Sequence, residues 1–249
     1  MAMKTPNQLL SAIAKQHVKP LTLAERNDRF EREHQAHLQK INDNYSASRI
    51  QVALGCSGIA KKHQKCRFDN YLIESPEQHR AQQQAKLWLK GHLRGDQGGF
   101  IFAGTPGTGK NHLASAIANH IIANKGTAMI VTVSDLMMKM RDTYRSDTQM
   151  TEAKLMRHLA KLDLLVIDEV GVQRGNANET ITLNEIINAR NADEKPTGIL
   201  TNLNQTKLHD TLGDRAIDRI MEGAGRWVSF NWESYRKRSN TQNNNGRAA

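Results

Sequence analysis

A glycine-rich run follows a short apolar segment of the sequence. It consists of Gly104, Thr105, Pro106, Gly107, Thr108, Gly109, Lys110 and Asn111, which is the spacing of a Walker A phosphate loop. Such glycines let backbone N–H groups wrap phosphate oxygens, and the lysine can reach the β and γ phosphates. Because residues 100–103 are apolar and a helical pattern follows the run, we expect a strand, a phosphate loop and a helix that bind a nucleotide.

Position 111 departs from the usual loop sequence, in which Ser or Thr supplies a hydroxyl ligand to Mg²⁺. Asn111 offers an amide oxygen instead, one atom farther along its side chain. The near-octahedral coordination of Mg²⁺ tolerates such a displacement poorly. We therefore expect nucleotide binding to be intact and hydrolysis to be slow unless a partner corrects the geometry.

Two adjacent acids end a second apolar run farther along the chain. Residues 164–167 are followed by Asp168 and Glu169, which is the arrangement of a Walker B strand. Asp168 can hold Mg²⁺, usually through water, and Glu169 can orient and deprotonate an attacking water. The two motifs together predict an ATPase with ATP and Mg²⁺ as cofactors.

Other polar side chains could act on the same phosphates, but their spacing alone leaves simpler roles open. Asn202 follows the apolar residues 199–201 and could position water, although Asn after a strand is most often a turn former. Arg215 and Arg219 lie one helical turn apart. One of them could reach the γ-phosphate of a neighbouring subunit, or both could pair with the adjacent acids. Arg236, near the end of the chain, has the same two alternatives, a role at the phosphates or an ion pair at the surface.

Alternating strands and helices must position these residues. The strand candidates are residues 100–103, 129–133, 164–167 and 199–201, and helical patterns cover residues 77–93 and 136–141 among others. This alternation predicts an α/β fold with a doubly wound parallel sheet, whose sites lie at the carboxyl ends of the strands.

The first 50 residues form a basic, helical segment of a different character. A capping box at residues 22–25 opens a long helix whose narrow apolar stripe includes Phe30 and Leu38. Such a helix either packs on the main domain or docks in the groove of a partner. We expect four parts: a helical module (1–50), a linker (51–66), an ATPase domain (67–237) and a disordered tail (238–249).

Composition restricts the class of protein. Apolar residues make up 38% of the 249 residues and the mean hydropathy is -0.63, without an apolar run near the roughly 18 residues of a membrane span. With no secretory leader pattern either, we expect a cytoplasmic protein with no membrane partner. The net charge of +10 favours polyanionic partners, although a solvated basic surface would explain it too.

The two cysteines fit a reducing compartment better than a disulfide framework. Cys56, His63 and Cys66 have a spacing that makes a zinc site conceivable, but no clear fourth ligand accompanies them. We favour thiols in a linker.

The combination of motifs resembles the bacterial DnaC-type replicative helicase loaders of the AAA+ class. The likeness is carried by residues 107–113, which include Asn111 and His112, by residues 164–169, by the pair Asp218 and Arg219, and by residues 230–236. It covers roughly residues 60–238. The N-terminal segment matches in type more than in sequence.

The resemblance implies an AAA+ P-loop αβα sandwich with a parallel sheet, preceded by a small helical N-terminal domain. It implies a loader whose N-terminal module binds a hexameric DnaB-type replicative helicase, while the AAA+ domains self-associate on single-stranded DNA at replication initiation. By the same likeness Asn202 is sensor I, Arg219 is the arginine finger, and Arg236 is sensor II. His112 and Arg236 then join the nucleotide-binding residues.

Four further residues are assigned to single-stranded DNA by the resemblance. Tyr144 and Arg145 fall where the family has a strand-binding aromatic, and an aromatic beside a cation suits stacking on bases. Tyr144 could instead be a core residue. Arg174 and Asn176 lie in a loop that contacts the strand in the family, although here the loop has no aromatic.

Two other functions share these motifs. A transposition-helper ATPase has the same core but normally carries Ser or Thr at position 111 and serves a transposase. A nucleotide-dependent adaptor with negligible turnover would act only as a binding module.

Overall fold

The computed structural model describes residues 28–32, 34–35, 57–145, 149–172 and 177–235. The chain divides into two units, residues 1–48 and 49–249. In the first unit the described residues are helical, and the exposed ring of Phe30 stacks on His34 with 6.1 Å between ring centroids. The rest of the predicted helical module and the predicted tail, 238–249, lie outside the described residues.

Five parallel strands form the sheet of the second unit. They are β1 (Phe100–Gly104), β2 (Ala128–Thr132), β3 (Leu164–Val170), β4 (Thr197–Thr201) and β5 (Arg226–Phe230), in the order β2-β3-β4-β1-β5. Every neighbouring pair is parallel, so the carboxyl ends of all five strands lie at one edge. The predicted α/β fold with a parallel sheet is confirmed.

Seven α-helices accompany the sheet in the part of the chain that is described. They are α1 (Pro76–His92), α2 (Lys110–Ala123), α3 (Val133–Asp142), α4 (Glu152–Lys161), α5 (Ala177–Ala192), α6 (Gln205–Leu212) and α7 (Asp214–Met221). The predicted helix over 77–93 agrees with α1 within one residue at each end, because a capping box on Ser75 fixes its start. Over the described ranges, no helix combines the length and apolarity that crossing a bilayer would require.

Helices cover both faces of the sheet. Alternate residues of a strand point to opposite faces, and Phe100 and Phe102 pack in one core cluster with residues of α1 and α2. Ile101 and Ala103 pack in a second cluster with residues of α3 to α7. The result is the three-layered αβα sandwich.

Two strand predictions need correction. Val133, placed in a strand over 129–133, is the first residue of α3, because the Thr132 hydroxyl accepts a hydrogen bond from the backbone N–H of Asp135 and caps the helix. Strand β5 was not predicted. It contributes only Val228 and Phe230 as buried residues, and its first two residues are half-buried at the edge of the sheet, so its apolar pattern is short.

The segment expected to be a linker, 51–66, packs against the domain over residues 57–66. Ile59 and Cys66 are buried. The Asn119 side-chain amide donates to the carbonyls of His63, Gln64 and Cys66 at 3.0–3.2 Å. These contacts are made by backbone carbonyls, which leave no periodic pattern in the sequence. They attach residues 57–66 to the second unit.

Candidate nucleotide-binding site

The glycine-rich run joins β1 to α2 at the carboxyl edge of the sheet, as its sequence context predicts. Gly104 has φ +142°, and a Cβ at this position would lie 2.2 Å from the carbonyl oxygen of Phe230. Gly109 caps α2 with φ +94°, and a Cβ there would lie 2.7 Å from the ring of Tyr71. Only glycine fits both positions, so the loop keeps a shape that exposes backbone amides at a helix N-terminus, where anions bind.

Lys110 is almost completely buried at the base of the loop. Its Nζ donates to Gly104 O at 2.7 Å, to Thr105 O at 2.8 Å and to Asn202 Oδ1 at 2.9 Å. Burial lowers the pKa of Lys110 to about 8, while the charge of Asp168 opposes the shift. The ammonium is therefore held by neutral acceptors and, among the described residues, no carboxylate contacts it. An anionic phosphate would stabilise its charged form.

Asp168 and Glu169 lie near the carboxyl end of β3. The register between β3 and β4 shifts between Ile167 and Val170, which is a bulge that redirects the side chains between them. Glu169 adopts φ +60°, and its N–H donates to Asp168 Oδ1 at 2.7 Å. A non-glycine residue in this region costs on the order of 1–3 kcal/mol, and such strain is typical of functional sites.

One cavity of about 470 Å³ collects most of the predicted site residues. They are Pro106, Gly107, Thr108, Gly109, Lys110, Asn111, His112, Asp168, Glu169 and Asn202. Nucleotide-sized clefts at the carboxyl ends of parallel strands are the expected ligand sites of this architecture.

The same cavity is closed by a segment that sequence analysis did not assign to it. Its residues His63, Asn70, Tyr71, Leu72, Glu74 and Gln78 line the cavity. His112 Nε2 donates to the carbonyl of Arg67 and to Asn70 Oδ1, both at 3.0 Å, and the Tyr71 ring meets the His112 ring edge-on. The available signal was an aromatic pair, Phe68 and Tyr71, in a polar stretch just ahead of a capped helix.

A second unassigned wall follows β5. Thr105 Oγ1 donates to the carbonyls of Phe230 and Trp232 at 3.3 and 3.1 Å. The N–H of Tyr235 donates to Gly107 O at 3.0 Å. In the sequence analysis, residues 230–235 only contributed to the resemblance and were given no role at the site. Arg236, the predicted sensor II, lies outside the described residues.

Asn111 provides a test of whether the site fits Mg²⁺. Its Oδ1 is buried and has no hydrogen-bond partner among the residues that the structure describes. It lines the same cavity as Asp168. A buried oxygen without a donor is expected to have a ligand or water, and an amide oxygen together with a carboxylate suits Mg²⁺ or its bound waters.

The conceivable zinc site gains no support. Cys66 is buried and its Sγ lies 3.5 Å from His63 Nδ1, while Cys56 is outside the described residues. Within the described ranges, no group of three or more His, Cys, Asp or Glu side chains could hold a metal ion. Burial raises the pKa of the Cys66 thiol, which fits an inert packed side chain.

Arg219 lies away from the cavity of its own chain. It is on α7, where Ala216, Ile217 and Ile220 face the core and the charged residues face outward. Its guanidinium donates to Asn188 Oδ1. Asp214, one of the acids offered as a simpler partner for the arginines, instead contacts His209 Nδ1 at 2.6 Å. A role for Arg219 at a neighbouring subunit stays a prediction.

Tyr144 is exposed, which excludes the alternative that it is a core residue. Its side chain is 70% exposed and its hydroxyl donates to Glu152 Oε2 at 2.8 Å. It lines a groove of about 450 Å³ between α3, α4 and α5 that also contains Glu179 and Glu185. Arg145 is exposed beside it. Arg174 and Asn176 lie outside the described residues.

Sequence relatives agree with the nucleotide-site geometry. The family model described as IstB-like ATP binding protein matches residues 91–243. The replicative helicase loader DnaC of Escherichia coli strain K12 is 42% identical over 77% of this chain and 78% of its own length. The uncharacterized protein YdaV of the same strain is 41% identical over 82% of this chain and 81% of its own.

Solved structures agree with the fold. A crystal structure of the DnaC helicase loader matches with a TM-score of 0.60 and 24% identity, over 69% of this chain and 99% of that one. AMPPCP-bound DnaA from Aquifex aeolicus matches with a TM-score of 0.56 and 22% identity, over 68% of this chain and 51% of that one. The predicted αβα sandwich with a parallel sheet is thereby confirmed. With the family model spanning most of the chain and the sequence relatives covering over three quarters of it, the chain belongs to the IstB-like ATP-binding family and, within it, to the DnaC-type replicative helicase loaders.

Proposed function

We propose that this chain is an ATP-dependent loader that binds a hexameric DnaB-type replicative helicase and delivers it onto single-stranded DNA at replication initiation. The observation that carries the proposal is the single cavity that holds the phosphate loop, Asp168, Glu169 and Asn202, in a chain 42% identical to the loader DnaC. ATP is the nucleotide that is bound and hydrolysed, and the helicase and single-stranded DNA are the macromolecular partners.

The chemistry is assigned to the residues of the cavity. Lys110 and the loop amides bind the β and γ phosphates, and Glu169 activates the attacking water. Asp168 and Asn111 would hold Mg²⁺, which when bound neutralises phosphate charge. Asn202 accepts from Lys110 in the structure at 2.9 Å. When a phosphate replaces that contact, the Asn202 amide is free to orient the water.

Turnover is expected to be slow by itself and stimulated by single-stranded DNA. Asn111 is one source of slowness, because its reach differs from that of the usual hydroxyl ligand. The other is that Arg219 lies outside its own cavity, so a complete site needs a neighbouring protomer. Self-association on DNA would supply that protomer.

The partner surfaces are assigned in two places. The basic N-terminal module contacts the helicase. Tyr144 and Arg145, with the loop that contains Arg174 and Asn176, contact DNA. Exposure of Tyr144 supports stacking on a base.

The deciding experiment is copurification of the full-length chain with replicative helicases, with and without ATP, after nuclease treatment. A loader is retained by the helicase after nuclease, and Glu169→Gln, which should bind ATP without hydrolysing it, is retained at least as well. Capture by a transposase instead of the helicase would favour the transposition-helper function. Retention that is independent of turnover, with negligible hydrolysis under all conditions, would favour the adaptor.

A further inference from the structure

Two aromatic side chains from opposite ends of the domain donate to one carbonyl of the phosphate loop. Tyr71 Oη lies 3.3 Å and Trp232 Nε1 lies 3.1 Å from the carbonyl oxygen of Thr108. Tyr71 precedes α1 and is buried, and Trp232 follows β5. Because a carbonyl oxygen has two lone pairs, Thr108 can accept both hydrogen bonds at once.

This carbonyl reports the orientation of a peptide group inside the loop. In a planar trans peptide the C=O of one residue and the N–H of the next point in opposite directions. Holding Thr108 O against the two aromatic donors therefore turns the N–H of Gly109 to the other side of the loop. The φ of +94° at Gly109 is compatible with this arrangement only because the residue is glycine.

The orientation matters for an anionic ligand. Loop N–H groups attract phosphate oxygens, whereas a carbonyl turned toward them repels them. Glycine offers little resistance to a flip of the adjoining peptide, so an external restraint is needed to keep the N–H available. The contact from the N–H of Tyr235 to Gly107 O restrains the preceding part of the loop in the same way.

We propose that Tyr71 and Trp232 are positioning residues for nucleotide binding, which act together by fixing the peptide between Thr108 and Gly109. The inference rests on the proposed nucleotide site and adds two residues to it. Neither side chain needs to touch the phosphates, because both act through the Gly109 N–H. The two donors are redundant, since either one alone still restrains the carbonyl.

The test compares Tyr71→Phe, Trp232→Phe and the double variant by titration with a fluorescent ATP analogue and by competition with inorganic tripolyphosphate. Each single variant should lose less than about 3-fold in affinity, and the double variant at least about 20-fold, more than the product of the two, as expected for coupled residues. Tripolyphosphate affinity should fall by a similar factor, because the two residues act on the loop that binds the phosphates and not on the adenine of ATP.

Trp88→Phe is the matched control. Trp88 Nε1 also donates to a buried carbonyl, that of Gly98 at 2.8 Å, at the far end of β1, so its replacement should lower thermal stability and leave nucleotide affinity unchanged. The inference is overturned if the double variant binds within about 2-fold of wild type, if its loss equals the product of the single losses, or if tripolyphosphate affinity does not change. Equal loss in Trp88→Phe would also overturn it. The Lys110→Ala variant tests the nucleotide site separately from the role of the two aromatic residues. If Lys110→Ala does not lose affinity for ATP, the nucleotide site itself is refuted.

Discussion

At the scale of single residues, Lys110 connects nucleotide binding to pH. Its pKa is lowered to about 8 by burial, and only the charged form attracts phosphate. ATP binding favours the ammonium and must raise its pKa. Affinity should therefore be constant below about pH 7 and fall as pH rises through 8, by up to about tenfold per unit until the pKa of the bound state is reached.

Calorimetry in buffers of different ionisation enthalpy checks this expectation directly. Near pH 8, ATP binding should take up about half a proton, and near pH 6.5 almost none from this group. In the Lys110→Ala variant, the residual ATP binding should lack this proton uptake near pH 8. Proton uptake that is identical at the two pH values would contradict the role of Lys110.

Asn111 is the second residue with a testable role, because it stands where the usual Walker A loop has Ser or Thr. Its buried Oδ1 has no donor within the described residues, as a ligand to Mg²⁺ or to its waters requires. We expect Asn111→Thr to keep ATP affinity and to raise basal hydrolysis, because it restores the shorter hydroxyl ligand. Steady-state turnover with separately measured affinity decides the point. If turnover and affinity fall together, the amide is a matched part of this site.

At the scale of elements, the groove beside Tyr144 predicts opposite effects for two substitutions. Tyr144→Ala should weaken single-stranded DNA binding and leave basal hydrolysis intact, since stacking contributes about 1–3 kcal/mol per base. Glu152→Gln should strengthen binding, because it removes a negative charge beside Tyr144 that repels phosphates, while the amide oxygen of Gln can still accept the hydrogen bond of the Tyr144 hydroxyl. Binding to a short oligonucleotide at two salt concentrations measures both effects. Weaker binding by Glu152→Gln would show that the carboxylate supports the DNA surface.

The elements also show what sequence could and could not predict. The strands that lead into the phosphate loop and into Asp168 were predictable, because buried strands read as continuous apolar runs before residues with recognisable chemistry. The cavity walls at Tyr71 and Trp232 were not. They meet the loop through backbone carbonyls, and a carbonyl leaves no trace in residue types. The bulge at Glu169 was equally hidden, since its left-handed φ occurs at a residue that usually avoids it.

At the scale of the whole molecule, we propose that catalysis is shared between subunits, since Arg219 does not line the cavity of its own chain. Arg219→Ala should bind ATP normally and lose DNA-stimulated hydrolysis, on the order of 10³-fold, as loss of an arginine finger typically does. Mixing Arg219→Ala subunits with Lys110→Ala subunits should restore part of the activity, because each supplies what the other lacks. Wild-type stimulation in Arg219→Ala alone would make this residue an ordinary surface arginine.

The meeting of both domain ends at the phosphate loop has a consequence for biosynthesis. A ribosome releases the loop and the acids of β3 well before it releases β5, yet Thr105 and Thr108 depend on partners 125 and 124 residues farther along. A nascent chain that stops at Gly225 would carry Lys110, Asp168, Glu169 and the Tyr71 contact, but it would lack β5 and the contacts that residues 230–235 make with the loop. We therefore expect firm nucleotide binding only after β5 has joined the sheet, so that occupancy of the site would mark a completed ATPase domain.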